Sequence, residues 1–287
     1  MPSVTVHTYA AGPHGGFTST RFVLVEPSHP GNVGAAARAL KTMGFSRLVL
    51  VAPRLAHVQS DPEAIAMASG AEDVLASARI VPTIAEALTG VTWSVALTAR
   101  MREYGPPQLA PREAASEARR HALGGNIAFV FGNERTGLSN EHVERCSALA
   151  HIPANPAYSS LNLAQAVQVL AYELRMAYLF NDLENGNDSS SGSGSDTAAA
   201  RVKVEVQGEV GPAARAPNEQ VERMFVHLEN ALIALEFLDP ANPKKLMSRL
   251  RRLFARAGLE REEVNILRGI AKHILLKAHA KDGSSSS

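Results

Sequence analysis

The chain has 287 residues, 45% hydrophobic and 20% charged, long enough for one large domain or two ordinary ones and too apolar for global disorder. Twenty-nine Lys and Arg against 28 Asp and Glu leave a formal charge of +1, which excludes a histone-like polycation but leaves room for a local basic patch. The single cysteine, Cys146, excludes an intramolecular disulfide and a cysteine-based zinc site, and no apolar run approaches the ~18 residues of a membrane span, so a cytoplasmic protein is expected.

Residues 1–20, rich in Gly, Pro, His and Thr, read as a flexible arm without the basic start and apolar run of a secretory signal. From Arg21 onward, apolar β-branched runs alternate with helical patterns. Phe22–Val25, Leu48–Val51, Trp93–Leu97, Ile127–Phe131 and Ala148–Ile152 predict strands. Asn32–Met43 predicts a helix stopped by Gly44. Asp61-Pro62 is a helix start, and Thr83 with Glu86 has capping-box spacing. Pro111–Leu123 reads as a polar-faced helix, Ser139 as a cap, and Ser160–Phe180 as a long apolar helix capped by Ser159 or Ser160. Near-continuous apolar strands alternating with helices imply an α/β fold, a parallel sheet with helices on both faces, over residues 21–183.

Residues 184–217 carry a Ser/Gly/Asn-rich run and read as a flexible linker, although Arg201–Val206 alternates and could pair as an edge strand. Helical periodicity returns at Asn218. Three helices over Val221–Leu238, Pro243–Ala257 and Glu262–Lys277 form a small all-helical C-terminal module, residues 218–280. About 65 residues bury little core, so docking or dimer contacts are expected to support it. Residues 281–287 read as a disordered tail.

Four segments could carry chemistry. In Glu26-Pro-Ser-His-Pro-Gly31-Asn32-Val-Gly34-Ala-Ala-Ala-Arg38, small residues permit close approach of a backbone or nucleotide. Asn32 offers an amide there, and Arg38 follows roughly 9 Å along the helix with a guanidinium suited to phosphate; a packing helix with a solvated Arg38 is the plainer alternative. In Phe131-Gly132-Asn133-Glu134-Arg135-Thr136-Gly137-Leu138, an apolar strand ends in a charged glycine loop, at the edge where parallel sheets bind ligands. In Ile152-Pro-Ala-Asn155-Pro-Ala-Tyr158-Ser-Ser160-Leu161-Asn162, Ser160 could simply cap the next helix. Asn162 reads as a buried amide that needs a partner, since an unpaired one costs roughly 1–3 kcal/mol. Finally Lys244, Lys245, Arg249, Arg251, Arg252 and Arg256 put six cations in thirteen residues without an acid. Arg249, Arg252 and Arg256 share a helical face suited to RNA phosphates, or to plain solvation. Scattered histidines and the lack of a Gly-x-Ser-x-Gly elbow speak against a metal site and a serine hydrolase.

Together, Asn32-x-Gly34-x-x-Ala37-Arg38, Phe131-Gly-x-Glu134-Arg135-x-Gly137-Leu138 and Asn155-Pro-x-Tyr158-Ser-Ser-Leu-Asn162-Leu-Ala164 resemble the three signature motifs of the SpoU/TrmH branch of the SPOUT RNA methyltransferases. The likeness is closest to the TrmJ-type tRNA (cytidine/uridine-2′-O-)-methyltransferases. Leu250-Arg-Arg-Leu-Phe-x-Arg256 and Asn265-Ile-Leu-Arg-Gly269 extend it into the helical tail, so that it covers about residues 21–183 and 218–275. The resemblance implies a C-terminal trefoil knot, a homodimer, no metal and an S-adenosyl-L-methionine site. Thr98, Ala99, Arg100, Gly132, Asn133, Glu134, Ile152, Ser160 and Leu161 would hold that methyl donor. It implies catalytic roles for Arg38, Asn32, Glu134, Ser160 and Asn162, and RNA contact by Lys244, Lys245, Arg249, Arg252 and Arg256. The implied substrate is tRNA at anticodon-loop position 32. A ribosomal RNA 2′-O-methyltransferase, or a non-catalytic RNA-binding protein of the same fold, is the alternative.

Overall fold

The computed structural model describes residues 16–99, 106–158, 160–180 and 215–284. The chain runs through β1 (Thr20–Val25), α1 (Pro30–Thr42), β2 (Leu48–Val51), α2 (Pro62–Ala68), α3 (Glu72–Ala76), β3 (Arg79–Val81), α4 (Ile84–Ala87) and β4 (Val91–Leu97). It continues with β5 (Gln108–Leu109), α5 (Pro111–Ala122), β6 (Asn126–Phe131), α6 (Asn140–Glu144), β7 (Ala148–Ala150) and α7 (Leu163–Phe180). The strands form one parallel seven-stranded sheet in the order β3-β2-β1-β6-β4-β7-β5.

Alternation along each strand sends side chains to two cores. Phe22, Leu24, Leu50, Phe129 and Phe131 face α1, α2, α3, α5 and α7; Val23, Val25, Val49, Val130 and Leu149 face α4 and α6. Each such buried side chain contributes roughly 1.5–3 kcal/mol. A register shift between Val91 and Trp93 breaks the alternation in β4, so these two residues enter opposite cores although they are two apart. Arg21 lies in the second layer, donating to the carbonyls of Ala87 and Thr89 at 2.8 and 2.9 Å and so closing the end of α4.

The expected caps hold at three helices. Asp61 accepts from the N–H groups of Glu63 and Ala64, Thr83 from that of Glu86 and Ser139 from that of His142. The fourth is corrected. Helix α7 begins at Leu163, and Asn162 caps it, its Oδ1 accepting from the N–H groups of Ala164 and Gln165 at 2.9 and 3.4 Å. Asn162 is therefore exposed at a helix start, and Ser160 lies outside the helix. The short elements α3, β3 and β5 have too few residues to show a period.

Three boundaries also move. Residues 16–20, assigned to the arm, belong to the domain: Phe17 is buried against Phe45 and Tyr178 at ring distances of 5.0 and 5.2 Å, and Thr20 Oγ1 lies 2.8 Å from the Tyr178 hydroxyl. Residues 215–217, assigned to the linker, are anchored by Arg215 bridging Glu260 and by the Ala216 N–H donating to Leu259 O. Residues 281–284, assigned to the tail, continue a helix. Residues 1–15, the rest of the linker with the alternating stretch 201–206, and residues 285–287 lie outside the described residues.

The C-terminal module is α8 (Asn218–Ala234), α9 (Leu246–Ala257) and α10 (Arg261–Ser284). Its own core is small, with Ala216, Met224, Phe225, Leu259 and Val264 buried. It docks on the α/β domain through polar clasps. Glu222 of α8, already held inside the module by a bidentate pair from Arg251 of α9 at 2.5 and 2.9 Å, lies 3.7 Å from Arg145 of the α/β domain. Ser248 donates to Glu144 at 2.7 Å, Asn218 to the Arg145 carbonyl at 2.9 Å, and the Gly90 N–H to Glu219 at 3.1 Å.

Candidate active site at the carboxyl edge of the sheet

Parallel strands end together, so the loops after β1, β4, β6 and β7 converge along one edge. Three of those loops are tied by one polar chain centred on Glu134. Its Oε2 accepts from the Ser28 N–H at 2.9 Å and the Ser28 hydroxyl at 2.7 Å; its Oε1 accepts from Asn32 Nδ2 at 2.9 Å and the His29 N–H at 3.3 Å. Asn32 Oδ1 in turn accepts from Asn162 Nδ2 at 2.8 Å. The amide of Asn32 thus joins the glycine loop after β6 to the start of α7.

Electrostatics explain the position of Glu134. Helix α1 has no side-chain cap at His29 and no acid in its first turn, so its exposed N–H groups and dipole lack a local anion. Glu134 supplies one from a distant loop. Burial pushes its carboxyl upward, but the bonds from Asn32 and from the Ser28 N–H and hydroxyl outweigh that and hold it below the usual carboxylate range. With both oxygens occupied, Glu134 positions loops.

The motif glycines have steric causes. A Cβ on Gly34 would lie 1.9 Å from the Ala64 carbonyl, so glycine lets α1 cross α2. A Cβ on Gly132 would meet the Gly137 carbonyl carbon at 2.3 Å, and Gly137 itself holds φ of +69°. Asn133 finishes this loop, donating to the Glu26 carbonyl at 2.6 Å and accepting from the Arg135 N–H at 2.9 Å. Its role is to shape the turn.

Of the expected site residues, Asn32, Glu134 and Asn162 meet directly. Thr98 and Ala99 follow β4, Gly132 and Asn133 follow β6 and Ile152 follows β7, on the shared edge; Arg100 lies outside the described residues. Ile152 is half-buried, and Ser160 and Leu161 are exposed beside Asn162. Arg38 is exposed on α1, and its side chain forms no hydrogen bond or ion pair among the described residues. His29 acts through its main-chain N–H and Ser28 through its N–H as well as its hydroxyl, so side-chain type alone did not mark them; the unfilled N-terminus of α1 was the available signal. His151, also unassigned, joins β7 to β4 through Nδ1, 3.0 Å from the Thr98 carbonyl. Among the described residues no group of three His, Cys, Asp or Glu could hold a metal ion, and no helix is long and apolar enough to cross a membrane.

Lys244, Lys245, Arg249, Arg252 and Arg256 are exposed on the helical module. Arg251, counted with them from sequence, is instead folded onto Glu222 and over the Phe225 ring, 4.3 Å from its centroid.

The sequence profile of the SpoU rRNA Methylase family matches residues 19–172, more than half of the chain and all of this edge. The chain belongs to the SpoU methylase family. A second profile, the tRNA methyltransferase TrmJ C-terminal domain, matches residues 219–283, the helical module. The tRNA (cytidine/uridine/adenosine-2′-O-)-methyltransferase TrmJ of Pseudomonas aeruginosa is 45% identical over 253 residues, 87% of this chain and 91% of that protein. The tRNA (cytidine/uridine-2′-O-)-methyltransferase TrmJ of Escherichia coli K12 is 45% identical over 254 residues, 88% and 94% of the two chains. Among solved structures, TrmJ from Z. mobilis ZM4 aligns with a TM-score of 0.70 at 32% identity, over 89% of this chain and 98% of that one. A probable methyltransferase from Bordetella pertussis Tohama I aligns at 0.55 and 56% identity, over 57% and 98%. SpoU family relatives therefore share both the α/β domain and the helical module.

Proposed function

We propose that this chain is an S-adenosyl-L-methionine-dependent tRNA 2′-O-ribose methyltransferase acting on cytidine or uridine at anticodon-loop position 32. The observation that carries this reading is the Glu134–Asn32–Asn162 chain, which joins the three family motifs at the carboxyl edge. The near-full-length likeness to TrmJ proteins supports the substrate class.

The residues of that edge suit a nucleoside sulfonium. Ile152 and Leu161 offer apolar surface to an adenine, and the strand-end backbone at Ala99 and Gly132 offers polar groups to a ribose and an amino acid, beside Thr98, whose own N–H and carbonyl are bonded to Ala150 and His151. Asn133, Ser160 and Arg100 complete the assigned set, and Glu134 belongs to it as the residue that holds the loop. When bound, S-adenosyl-L-methionine supplies an electrophilic methyl group. The chain's own task is to align the ribose 2′-hydroxyl for in-line attack and to dispose of its proton. An arginine stays charged, so Arg38 orients the hydroxyl and an adjoining phosphate, whose oxygen takes the proton. Asn32, Ser160 and Asn162 orient Arg38, the ribose and the loop. No metal enters these steps.

Insertion of β7 between β4 and β5 is consistent with a C-terminal trefoil knot as part of this proposal. A homodimer and a cytoplasmic location complete it. Calorimetry with S-adenosyl-L-methionine, then transfer of labelled methyl to a tRNA transcript with mapping of the modified nucleotide, tests the proposal. One 2′-O-methyl at position 32 is expected. Cofactor binding without transfer to tRNA would point to ribosomal RNA or to a non-catalytic binder.

A further inference from the structure

The loop between α8 and α9 presents an aromatic ring to solvent among cations. Phe237 is 69% exposed. Leaving such a ring in water forgoes most of the stabilisation that its burial would contribute. The backbone nevertheless holds it there. The Phe237 and Leu238 N–H groups both donate to the Leu232 carbonyl, at 3.0 and 3.1 Å, and Glu236 closes the end of α8 in the left-handed region at φ +58°. Leu238, next in sequence, is 4% exposed and anchors the loop from beneath. Downstream, Asp239 binds the Ala241 N–H at 2.8 Å, which commits its carboxylate to the turn, and Lys244 sits at φ +49°. The ring is thus carried on an ordered loop.

The groove it borders is lined by Phe237, Asn242, Pro243, Lys244, Lys245 and Arg249. Arg249 begins the basic face that continues through Arg252 and Arg256, a rise of about 10 Å along α9. A flat apolar ring beside a row of cations matches a partner with a planar π-face and a phosphate chain. Single-stranded nucleic acid has this chemistry: bases stack on aromatic rings while Lys and Arg follow the backbone. We infer that Phe237 is a base-stacking platform, on which the helical module holds an unpaired nucleotide of the RNA substrate while Lys244, Lys245 and Arg249 hold its phosphates. The inference rests on the proposal that this module binds RNA, and adds that it recognises an unpaired region rather than duplex backbone alone.

The test uses the full-length protein and a tRNA transcript, with dissociation constants measured by fluorescence polarisation at several salt concentrations. Phe237→Ala should weaken binding about 5- to 150-fold, the range for losing one stacked base. It should leave the salt slope unchanged, because no phosphate contact is lost. Phe237→Leu should behave like Phe237→Ala, and Phe237→Trp should retain affinity. Trp93, the chain's single tryptophan, is 4% exposed, so emission changes in F237W on titration with oligouridylate report on the loop. Quenching is expected. Wild-type affinity in F237A, or full affinity in F237L, would overturn the stacking role. Loss of self-association by light scattering in F237A with intact tRNA affinity would assign the ring to a protein contact and overturn it equally. Combined replacement of Arg249, Arg252 and Arg256 by Ala separates the two levels. A flattened salt slope there with a silent F237A refutes stacking alone, whereas silence in both refutes RNA binding by the module.

Discussion

Arg38 and Asn162 illustrate two kinds of motif residue. Arg38 has no structural work among the described residues, so its replacement should leave the fold alone. Arg38→Ala is expected to bind S-adenosyl-L-methionine with near wild-type affinity and to lose methyl transfer by roughly two orders of magnitude, the scale of losing one preorganised charge-stabilising group. Single-turnover rates with tRNA check this, and retention of a third of the activity would remove it from the mechanism. Asn162 caps α7 with its oxygen and holds Asn32 with its nitrogen. Asn162→Ala should cost about 0.5–2 kcal/mol of stability and most of the turnover. Asn162→Asp preserves the cap but sets two acceptors face to face, so it should melt near wild type and still turn over poorly; urea titrations beside initial rates separate the two. That Asn162 needs a partner was legible in the sequence, though on the ground of a burial it does not have. Its exposure was not, because the helix start hinges on which of three polar residues caps it.

At the scale of elements, the strongly patterned segments were legible and the short ones were not. Strand β2 matches its apolar run residue for residue, whereas β5 spans two residues and carries no period. The docking of the helical module was legible only as a need, inferred from its small core. The partners proved to be polar and charged groups that no periodicity marks. Inside the module Glu222 accepts both guanidinium bonds of Arg251, with side-chain exposures of 16% and 20%, and across the junction Arg145 approaches it from α6. Glu222→Gln should therefore lower stability by about 1–3 kcal/mol and loosen the module, because it leaves two half-buried arginines facing a neutral amide. Protease digestion should cut near residue 215 sooner in this variant; an unchanged digestion rate would contradict the clasp. A second consequence concerns acid. His121 on α5 lies 4.9 Å from the Trp93 ring, and burial together with Arg215, opposed by Glu117, lowers its pKa to about 4 from an ordinary 6.5. The unfolded chain takes up this proton first, so His121 should cost stability progressively as pH falls from about 6.5 toward 4. Urea midpoints across that window should fall more steeply for wild type than for His121→Gln, and parallel curves would refute the assignment.

For the whole molecule, α7 leaves apolar surface that the sheet does not cover, with Tyr172 47% exposed along it and Tyr158 80% exposed before it. A C₂ contact would bury the same patch on two copies. Light scattering at micromolar concentration should give about twice the chain mass of 30.6 kDa, and a monomer would exclude the expected homodimer.

The chain of bonds through Glu134 also bears on how the protein reaches its native state. Its two links join residues 102 and 130 apart in sequence, a span like that of the β1–β6 pairing and far longer than that of β1 with β2. Closing loops of that length costs entropy before any contact returns it, so such links form late. Strand β7 must also enter between two strands that precede it in the chain. The polar chain proposed to support catalysis is thus expected to close late in folding. A newly made chain with its first helices and strands complete would still lack Asn162 against Asn32, and the polar chain would stay open until the segment from β7 to the start of α7 had settled.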